Sequence, residues 1–319
     1  MKINSKKMSN SKFEYVKDYE IHNTLLKGTF ILVRVDGKAF TNFCKKHDLI
    51  KPNDIRAIQI MTASALVVCE AFTDIFLAYG QSDEYSFAFR INSNVYNRRE
   101  QKIISVLVST FTSAFLFHWK KFFPSINLQY PVAFDSRVVL YPDLKSLQDY
   151  FSWRQVDCHI NNLYNSTFWY LILNKGLTTD EAHKKLKGTF SKDKHEILHD
   201  MGLNYNNFED VYKKGTIITR FEFKTDKSNS KTKLKNKKND EEKVEKEEEL
   251  IDTLNINEIE KKENNEEYKC YDKTFNLNHK NEENLEFEFL AKYFYSVGLK
   301  IQNIDLIENK KFWEEVKYK

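Results

Sequence analysis

The amino-acid sequence predicts an α+β fold built on a ferredoxin-like βαββαβ unit, with additional helices and a disordered charged insert. Segments with strand and helix signals alternate in the order strand–helix–strand–strand–helix–strand over residues 29–141. The strand segments are β-branched and aromatic, and the helical segments repeat apolar residues at helical spacing. A composition of 41% hydrophobic and 30% charged residues, with 8 Gly and 4 Pro among 319 residues, is that of a globular protein and excludes collagen-like chains.

Each element of the unit has its own local signal. Residues 29–36 (TFILVRVD) are apolar and β-branched and are followed by Gly37, which predicts a strand and then a turn. Asn53 and Asp54 are typical N-cap residues and predict the start of a helix over 53–72. We expect the helices to cover one face of the sheet and to leave the other face open for a ligand. The remaining predicted elements are strands at 75–80 and 84–91, a helix at 99–122 and a strand at 136–141.

The chain divides by composition into four regions. The βαββαβ unit occupies 1–142, and a mainly helical region over 143–224 completes the same domain. Residues 225–284 form a Lys/Asn/Glu-rich insert that is first basic and then acidic. Such a tract cannot bury enough apolar surface to offset its ordering entropy, so we predict that it is disordered. Apolar periodicity returns over 285–319, which predicts that this last segment packs back on the core.

Charge and cysteine content limit which functions and which cellular compartments fit this sequence. A net charge of +4 is compatible with nucleic acid but is not a signature of it. The four cysteines are far apart and form no CxxC, which excludes a disulfide framework and a zinc ribbon and fits a reducing compartment, the cytoplasm or the nucleus. The apolar run at 103–117 is shorter than a membrane span and contains Ser and Thr, so we predict a buried helix and no membrane partner.

Acidic residues at two places in the unit predict a cation site. Asp36 ends the first strand, and Asp83 and Glu84 lie at the turn before the third. The first and third strands are neighbours in a ferredoxin-like sheet, so these carboxylates should converge. Paired carboxylates suit two hard divalent cations, which can serve nucleotidyl transfer. An exposed acidic turn is the alternative interpretation of either motif alone.

Basic residues near these motifs are candidates for binding a triphosphate. Gly37 permits a close backbone approach, so a phosphate can lie beside it, and guanidinium groups grip phosphate in two-pronged fashion. The candidates are Arg34, Lys38, Lys51, Arg98, Arg99 and Lys102.

The segment 153–169 (WRQVDCHINNLYNSTFW) mixes amides and aromatic residues. That mixture suits RNA base edges and stacking, and a polar network that supports a helix is the equal alternative. A competing motif, HEILH, places His195 and His199 one helical turn apart with Glu196 between them, as in zinc metalloproteases. No third ligand is well placed in the sequence, so an exposed helix face is the simpler interpretation of HEILH.

An ordered set of motifs resembles the tRNA(His) guanylyltransferase family. The resemblance covers residues 11–218 almost without gaps, and no single motif carries it. Among the matching segments are VRVDGKAFTNF at 33–43, AYGQSDEYSF at 78–87, DYFSWRQVDCHINNLYN at 149–165 and LKGTFSKDKHEIL at 186–198.

The resemblance implies a polymerase-like palm domain and a known reaction. ATP adenylylates the 5′ monophosphate of tRNA(His), the 3′-OH of GTP then displaces AMP, and the chain grows in the 3′–5′ direction. Two Mg²⁺ ions would be held by Asp36, the Gly37 carbonyl and Asp83. Glu84 would support this centre, and Ser82 and Lys51 would assist activation.

The resemblance also implies tRNA contacts and an assembly. Residues in motifs associated with tRNA or 5′-end handling are His159, Asn161, Asn162 and Lys194, and members of the family are typically homotetramers. The insert is not a family feature, and the terminal segment lacks a histidine that the family usually has there. Three other functions stay open from the residues: a templated 3′–5′ repair polymerase for tRNA 5′ ends, a zinc metalloprotease and a non-catalytic tRNA-binding protein.

Overall fold

A computed structural model describes residues 12–221, 298–307 and 309–318, and it confirms the α+β class and the βαββαβ order. The predicted insert at 225–284 lies outside the described residues. The six elements of the unit are β1 (Phe30–Gly37), α2 (Ile55–Ala71), β2 (Ile75–Gln81), β3 (Glu84–Phe89), α3 (Glu100–Phe122) and β4 (Phe134–Tyr141). A short helix that the sequence did not predict, α1 (Phe40–Lys46), follows β1 directly.

The described strands form one antiparallel sheet in the order β4-β1-β3-β2-β5-β6. β1 and β3 are central neighbours, as the ferredoxin-like pattern predicts. The added strands are β5 (Thr216–Thr219), which lies in a region predicted to be mainly helical, and β6 (Lys300–Gln302). β5 is only four residues long, so its apolar run was too short to be told from the end of a helix.

Both faces of the sheet are covered, which contradicts the prediction of an open face. α2 and α3 pack on one face through residues such as Leu66 and Phe111. On the other face, Leu147 and Phe151 of α4 (Leu144–Lys175) lie with Trp313 of the last described helix, α8 (Lys310–Tyr318), in a second apolar cluster. The ferredoxin-like pattern alone did not account for these two helices.

α4 is a single helix of 32 residues within the region predicted to be mainly helical. The Asp143 side chain accepts a hydrogen bond from the Ser146 amide at 2.7 Å and caps its start, and left-handed Gly176 ends it. Its first half packs on the sheet, and its second half packs against shorter helices. These are α5 (Thr179–Leu186), α6 (Ser191–Asp200) and α7 (Asp210–Lys214), and 3-10 turns lie at Glu14–Tyr19, Val95–Arg98 and Tyr205–Asn207.

α3 is, among the described residues, the helix that is long and apolar enough to cross a bilayer. Its face that carries Ile103, Leu107, Phe111, Phe115 and Trp119 is buried in the core between α2 and the sheet. This is the position predicted for it, that of a core helix.

The C-terminal segment is tied to α4 by one buried amide. The Gln155 Nε2 donates to the carbonyls of Lys214 and Ile304 at 2.9 Å each, and its Oε1 accepts from the Leu306 amide at 2.6 Å. Because every group of this side chain is hydrogen-bonded, burying it carries little penalty. The segment around Leu306 is thereby held against the sheet face that α4 covers.

Candidate active site

The pairing of β1 with β3 brings the acidic motifs together at one end of the sheet. Asp36 lies opposite Glu84 in the register, and the Gly37 amide donates to the Asp83 carbonyl at 3.1 Å. A Cβ at Gly37 would lie 2.9 Å from the Asp83 Oδ2 and 2.8 Å from the Phe40 ring. Glycine at this position therefore lets the Asp83 carboxylate approach the backbone of β1.

The two carboxylates share one environment. Burial, followed by the negative charge of Asp36, raises the pKa of Asp83 to about 7, although the Ser82 hydroxyl donates to its carboxylate at 3.1 Å. Like charges held this close favour protonation unless a cation is present. Two carboxylates and a neighbouring carbonyl are also the oxygen ligands that hard divalent cations take. The residues present therefore fit a divalent cation.

This charge conflict predicts a pH-dependent gain in stability from Asp83→Asn. A carboxyl whose folded pKa is raised makes folding less favourable as pH rises from its unfolded pKa to its folded pKa. We expect the gain in Tm, measured in EDTA, to grow between about pH 4 and pH 7 and to level off above, at about 8–16 °C for a gain of about 4 kcal/mol. Asp149→Asn, which removes an exposed carboxylate paired with Lys145, controls for the loss of one charge. A pH-independent gain would contradict the prediction.

Two of the predicted lysines, Lys51 and Lys38, lie near this acidic centre. Lys51 and Asp83 both act on the half-buried thiol of Cys44, with opposite effects on its pKa, so the two charges lie near one another. The Lys51 Nζ lies 5.2 Å from the centre of the Trp169 ring. Lys38 is exposed beside Gly37, and its amide donates to the Ala133 carbonyl.

Glu84 lies beside the acidic pair and also belongs to a charge cluster under α4. Its Oε1 lies 2.9 Å from the Arg154 Nε, and its Oε2 lies 3.7 Å from the Arg34 Nε. The Arg154 Nη2 also lies 2.5 Å from the Asp157 Oδ2. The prediction that Glu84 takes part in the reaction directly is therefore not supported, because its charge is matched by two arginines. Arg154 was missed as a site residue, and its place in the WRQVD motif was the available signal.

Arg34 has a basic partner that the sequence analysis also left out. Arg137 of β4 is the register partner of Arg34, so the two side chains leave the sheet on the same face as Asp36. Like charges directly opposite one another destabilise a sheet unless something compensates them. Arg137 forms an ion pair with Asp135 at 3.5 Å, and Arg34 forms one with Glu84. The two arginines are still suited to bind an anion such as a phosphate.

Arg98, Arg99 and Lys102 were predicted to bind a triphosphate at this centre. Within one chain that prediction is wrong, because the three residues lie at the far end of β1. The Arg98 guanidinium is buried and donates to the carbonyls of Leu25, Leu26, Ser93 and Thr29. Thr29 precedes β1 and Asp36 ends it, about 23 Å away at the rise of an extended strand. Arg99 and Lys102 lie at the Thr29 end of β1. The backbone of Arg99 forms an isolated antiparallel β-bridge with Thr24, and the Lys102 Nζ lies 4.9 Å from the centre of the Tyr96 ring.

Two of the predicted tRNA residues are used inside the fold. The Asn162 amide bonds to Asn53 and Tyr205, and the Lys194 Nζ donates to the Thr189 carbonyl at 2.8 Å with the side chain 4% exposed. A direct RNA contact by either side chain is therefore contradicted, because both polar groups are already bonded and buried. Their sequence pattern resembled a binding surface because polar networks and RNA-binding surfaces use the same residue types.

His159 and Asn161 lie half-buried on α4 near this network. The His159 Nδ1 lies 3.3 Å from the Tyr205 hydroxyl. Burial, with the nearby charges of His195 and Lys213, lowers the pKa of His159 to about 4, so its ring is neutral near pH 7.

The HEILH motif forms no metal site in the described part of the chain. His195 packs edge-on against the Tyr205 ring at 5.3 Å between ring centres. Across residues 12–221 and the described C-terminal segment, no group of three His, Cys, Asp or Glu side chains is arranged to hold a metal ion. The zinc metalloprotease alternative therefore lacks the third ligand that it requires.

Two family profiles match the chain. The profile described as tRNAHis guanylyltransferase matches residues 13–142, and the profile described as Thg1 C terminal domain matches residues 145–260. The chain is 55% identical over 214 residues to the tRNA(His) guanylyltransferase of Schizosaccharomyces pombe, which spans 67% of this chain and 82% of that protein. It is 49% identical over 212 residues to the probable tRNA(His) guanylyltransferase of Homo sapiens, covering 66% of this chain and 71% of the human protein.

Solved structures agree with these sequence matches. The crystal structure of tRNA(His) guanylyltransferase from Saccharomyces cerevisiae superposes with a TM-score of 0.64 at 45% identity, covering 70% of this chain and 100% of that one. A bacterial tRNA(His) guanylyltransferase-like protein in complex with ATP superposes with a TM-score of 0.52 at 24% identity, covering 64% of this chain and 83% of that one. The second likeness supports the fold alone.

Proposed function

This chain belongs to the tRNA(His) guanylyltransferase family, a family of nucleotidyltransferases, and on that premise we propose how it acts. It binds ATP and GTP and adds one guanosine nucleotide to the 5′ end of tRNA(His) in the 3′–5′ direction. The 5′ phosphate is first adenylylated by ATP. The observation that carries the proposal is the convergence of Asp36 and Asp83 beside Gly37, where burial and like charge raise the pKa of Asp83 to about 7.

Two Mg²⁺ ions fit this centre, held by the Asp36 and Asp83 carboxylates and the Gly37 carbonyl. When bound there, such ions neutralise phosphate charge and activate an attacking oxygen. Asp36 and Asp83 lie on separate segments whose relative position the β1–β3 pairing sets, which supports the proposal that they would hold these ions together. Cation binding would also relieve the repulsion between the two carboxylates.

The basic residues around the centre would bind and orient phosphates. Arg34 and Arg137 lie on the same sheet face as Asp36, and their guanidinium groups suit a triphosphate. Lys51, Lys38 and the Ser82 hydroxyl lie on the side of the turn and would serve the adenylylation step. Phosphoryl transfer depends mainly on such positioning and on charge neutralisation.

We also propose that the protein works as a homotetramer in the cytoplasm or the nucleus. Self-association is supported by a cluster of exposed apolar residues in the N-terminal segment, where the Glu14–Tyr19 turn buries none of its residues. Exposed apolar clusters mark interaction surfaces. The cluster comprises Phe13, Tyr15, Val16, Tyr19 and Ile21, which are 52–80% exposed.

The direct test supplies 5′-monophosphorylated tRNA(His), ATP, Mg²⁺ and GTP labelled in its α-phosphate. We expect label at the 5′ end of the tRNA only when ATP and Mg²⁺ are both present. Absence of label under these conditions would refute the proposal. A second arm with 5′-truncated tRNAs of other acceptor types separates single guanosine addition from templated repair, because only a repair polymerase extends them to full length.

A further inference from the structure

The segment 48–54 joins α1 to α2 and carries Lys51. Local hydrogen bonds to Asp54 hold its C-terminal end. The Asp54 carboxylate accepts from the Ile50 amide at 3.1 Å and from the Arg56 amide at 3.0 Å. These bonds shape the backbone around Lys51 and cap α2. They do not connect the segment to the helix that lies across from it.

A buried amide provides a hydrogen bond across to that helix, in addition to the contact of the Lys51 Nζ with the Trp169 ring. The Asn53 Nδ2 donates to the Asn162 Oδ1 of α4 at 2.9 Å, and Asn162 is 8% exposed. One turn further along α4, the Ser166 hydroxyl lies 3.5 Å from the same oxygen. The hydrogen bond between the Lys51 segment and α4 therefore depends on which end of the Asn162 amide faces Asn53.

Tyr205 decides that orientation. The Asn162 Nδ2 donates to the Tyr205 hydroxyl at 2.9 Å, so the oxygen of the amide is left to face Asn53. The Tyr205 hydroxyl, having accepted this bond, can donate its proton to the Nδ1 of neutral His159 at 3.3 Å. Tyr205 is 2% exposed, and its ring is packed between the rings of His159, His195 and Phe208. Its hydroxyl therefore has a fixed place.

We propose that Tyr205 is a positioning residue for the nucleotide step: through Asn162 and Asn53 it holds the segment that carries Lys51 against α4. Without the hydroxyl, the Asn162 Nδ2 is buried with its acceptor missing, a costly state. The orientation of the Asn162 amide is then no longer held by Tyr205, and whenever its Nδ2 faces the Asn53 Nδ2 the hydrogen bond between the two side chains is lost. This inference rests on the proposed function in so far as Lys51 binds nucleotide, and it concerns ATP and not tRNA binding.

The test is Tyr205→Phe, which keeps the packed ring and removes only the hydroxyl. We expect the KM for ATP to rise about fivefold, the loss of one net hydrogen bond, with kcat and the KM for tRNA within twofold of the wild type. Thr167→Val is the matched control, because it removes a buried hydroxyl of α4 whose bond, to the Leu163 carbonyl at 2.8 Å, stays within the helix. We expect it to leave the KM for ATP unchanged.

Amide hydrogen exchange of residues 48–54 is a readout that does not need activity. We expect faster exchange there in Tyr205→Phe and in Asn53→Ala, no change in Thr167→Val, and no further increase when Tyr205→Phe is added to Asn53→Ala. If Tyr205→Phe does not fold, Asn53→Ala still tests whether the bond to Asn162 holds the segment against α4.

Two results would overturn the inference. One is unchanged exchange over 48–54 in Tyr205→Phe, and the other is a full additive effect of Tyr205→Phe in the Asn53→Ala background. If the wild type adds no guanosine, the proposed function fails while the exchange experiment still decides whether Tyr205 holds the segment.

Discussion

Asp83→Ala is expected to lower the rate of guanosine addition by about 1,000-fold or more while the fold is kept. The carboxylate of Asp83 is one of two that converge at the end of β1, and its pKa of about 7 reflects burial beside the charge of Asp36. Loss of a ligand to a catalytic cation removes several kcal/mol of transition-state stabilisation, and about 4 kcal/mol corresponds to that factor. The measurement is single-turnover label transfer from GTP to tRNA(His), with circular dichroism and Tm recorded in parallel.

Asp149→Ala is the control, since its exposed carboxylate lies on α4 and pairs only with Lys145 among the ion pairs of the described residues. We expect its activity to stay within twofold of the wild type. Asp36→Ala should match Asp83→Ala, and the double variant should lose little more, because residues that hold the same cations act as a unit. Substantial label transfer by Asp83→Ala would sink the assignment of the acidic centre.

Arg154→Met is expected to destabilise the protein by about 3 kcal/mol and to lower Tm by about 6–12 °C. The Arg154 side chain is 8% exposed, and it faces the carboxylates of Glu84 and Asp157 at 2.9 and 2.5 Å. Methionine keeps the length of the side chain, so the loss comes chiefly from two buried carboxylates that lose a positive partner. Thermal and urea unfolding measure the change.

A second substitution, at Glu84, tests this prediction further, because the Glu84 charge destabilises the folded protein once Arg154 is removed. We expect Glu84→Gln in the Arg154→Met background to recover about half of the lost stability, since it removes a carboxylate that keeps only Arg34, at 3.7 Å, as a positive partner among the ion pairs of the described residues. Arg90→Met is the control, because the Arg90 guanidinium donates to the Thr73 carbonyl at the surface and should change stability by no more than about 0.5 kcal/mol. No recovery in the double variant would show that the ion pair is not what Arg154 contributes.

Short-range patterns predicted the βαββαβ unit well, because strand and helix periods, Asp54 as an N-cap and Gly37 as a turn act over a few residues. They were less informative for β5, whose four residues are too few for a period, and for α4, where the polar segment over 153–169 interrupts the apolar stripe of one long helix. The open sheet face was mispredicted because the helices that fill it come from distant parts of the chain.

The candidate site divides in the same way. Asp36 and Asp83 were found from the sequence because adjacent antiparallel strands bring the end of one beside the start of the other. Arg154, Arg137 and Tyr205 were missed because their roles depend on contacts across 43 to 109 positions of the chain, or on a strand register that no local pattern reveals.

By itself, the sequence determined the order of the elements, the acidic pair at the β1–β3 turn and the motif set of the family, since each depends on residues that lie close along the chain. Only the tertiary structure decided which polar residues face solvent and which form hydrogen bonds inside the fold. Arg98, Asn162 and Lys194 are residue types that often bind ligands, yet their polar groups are hydrogen-bonded to buried partners. The physical reason is that a hydrogen bond is satisfied by whichever partner the packed chain brings near, and packing is set by contacts that lie far apart in the sequence.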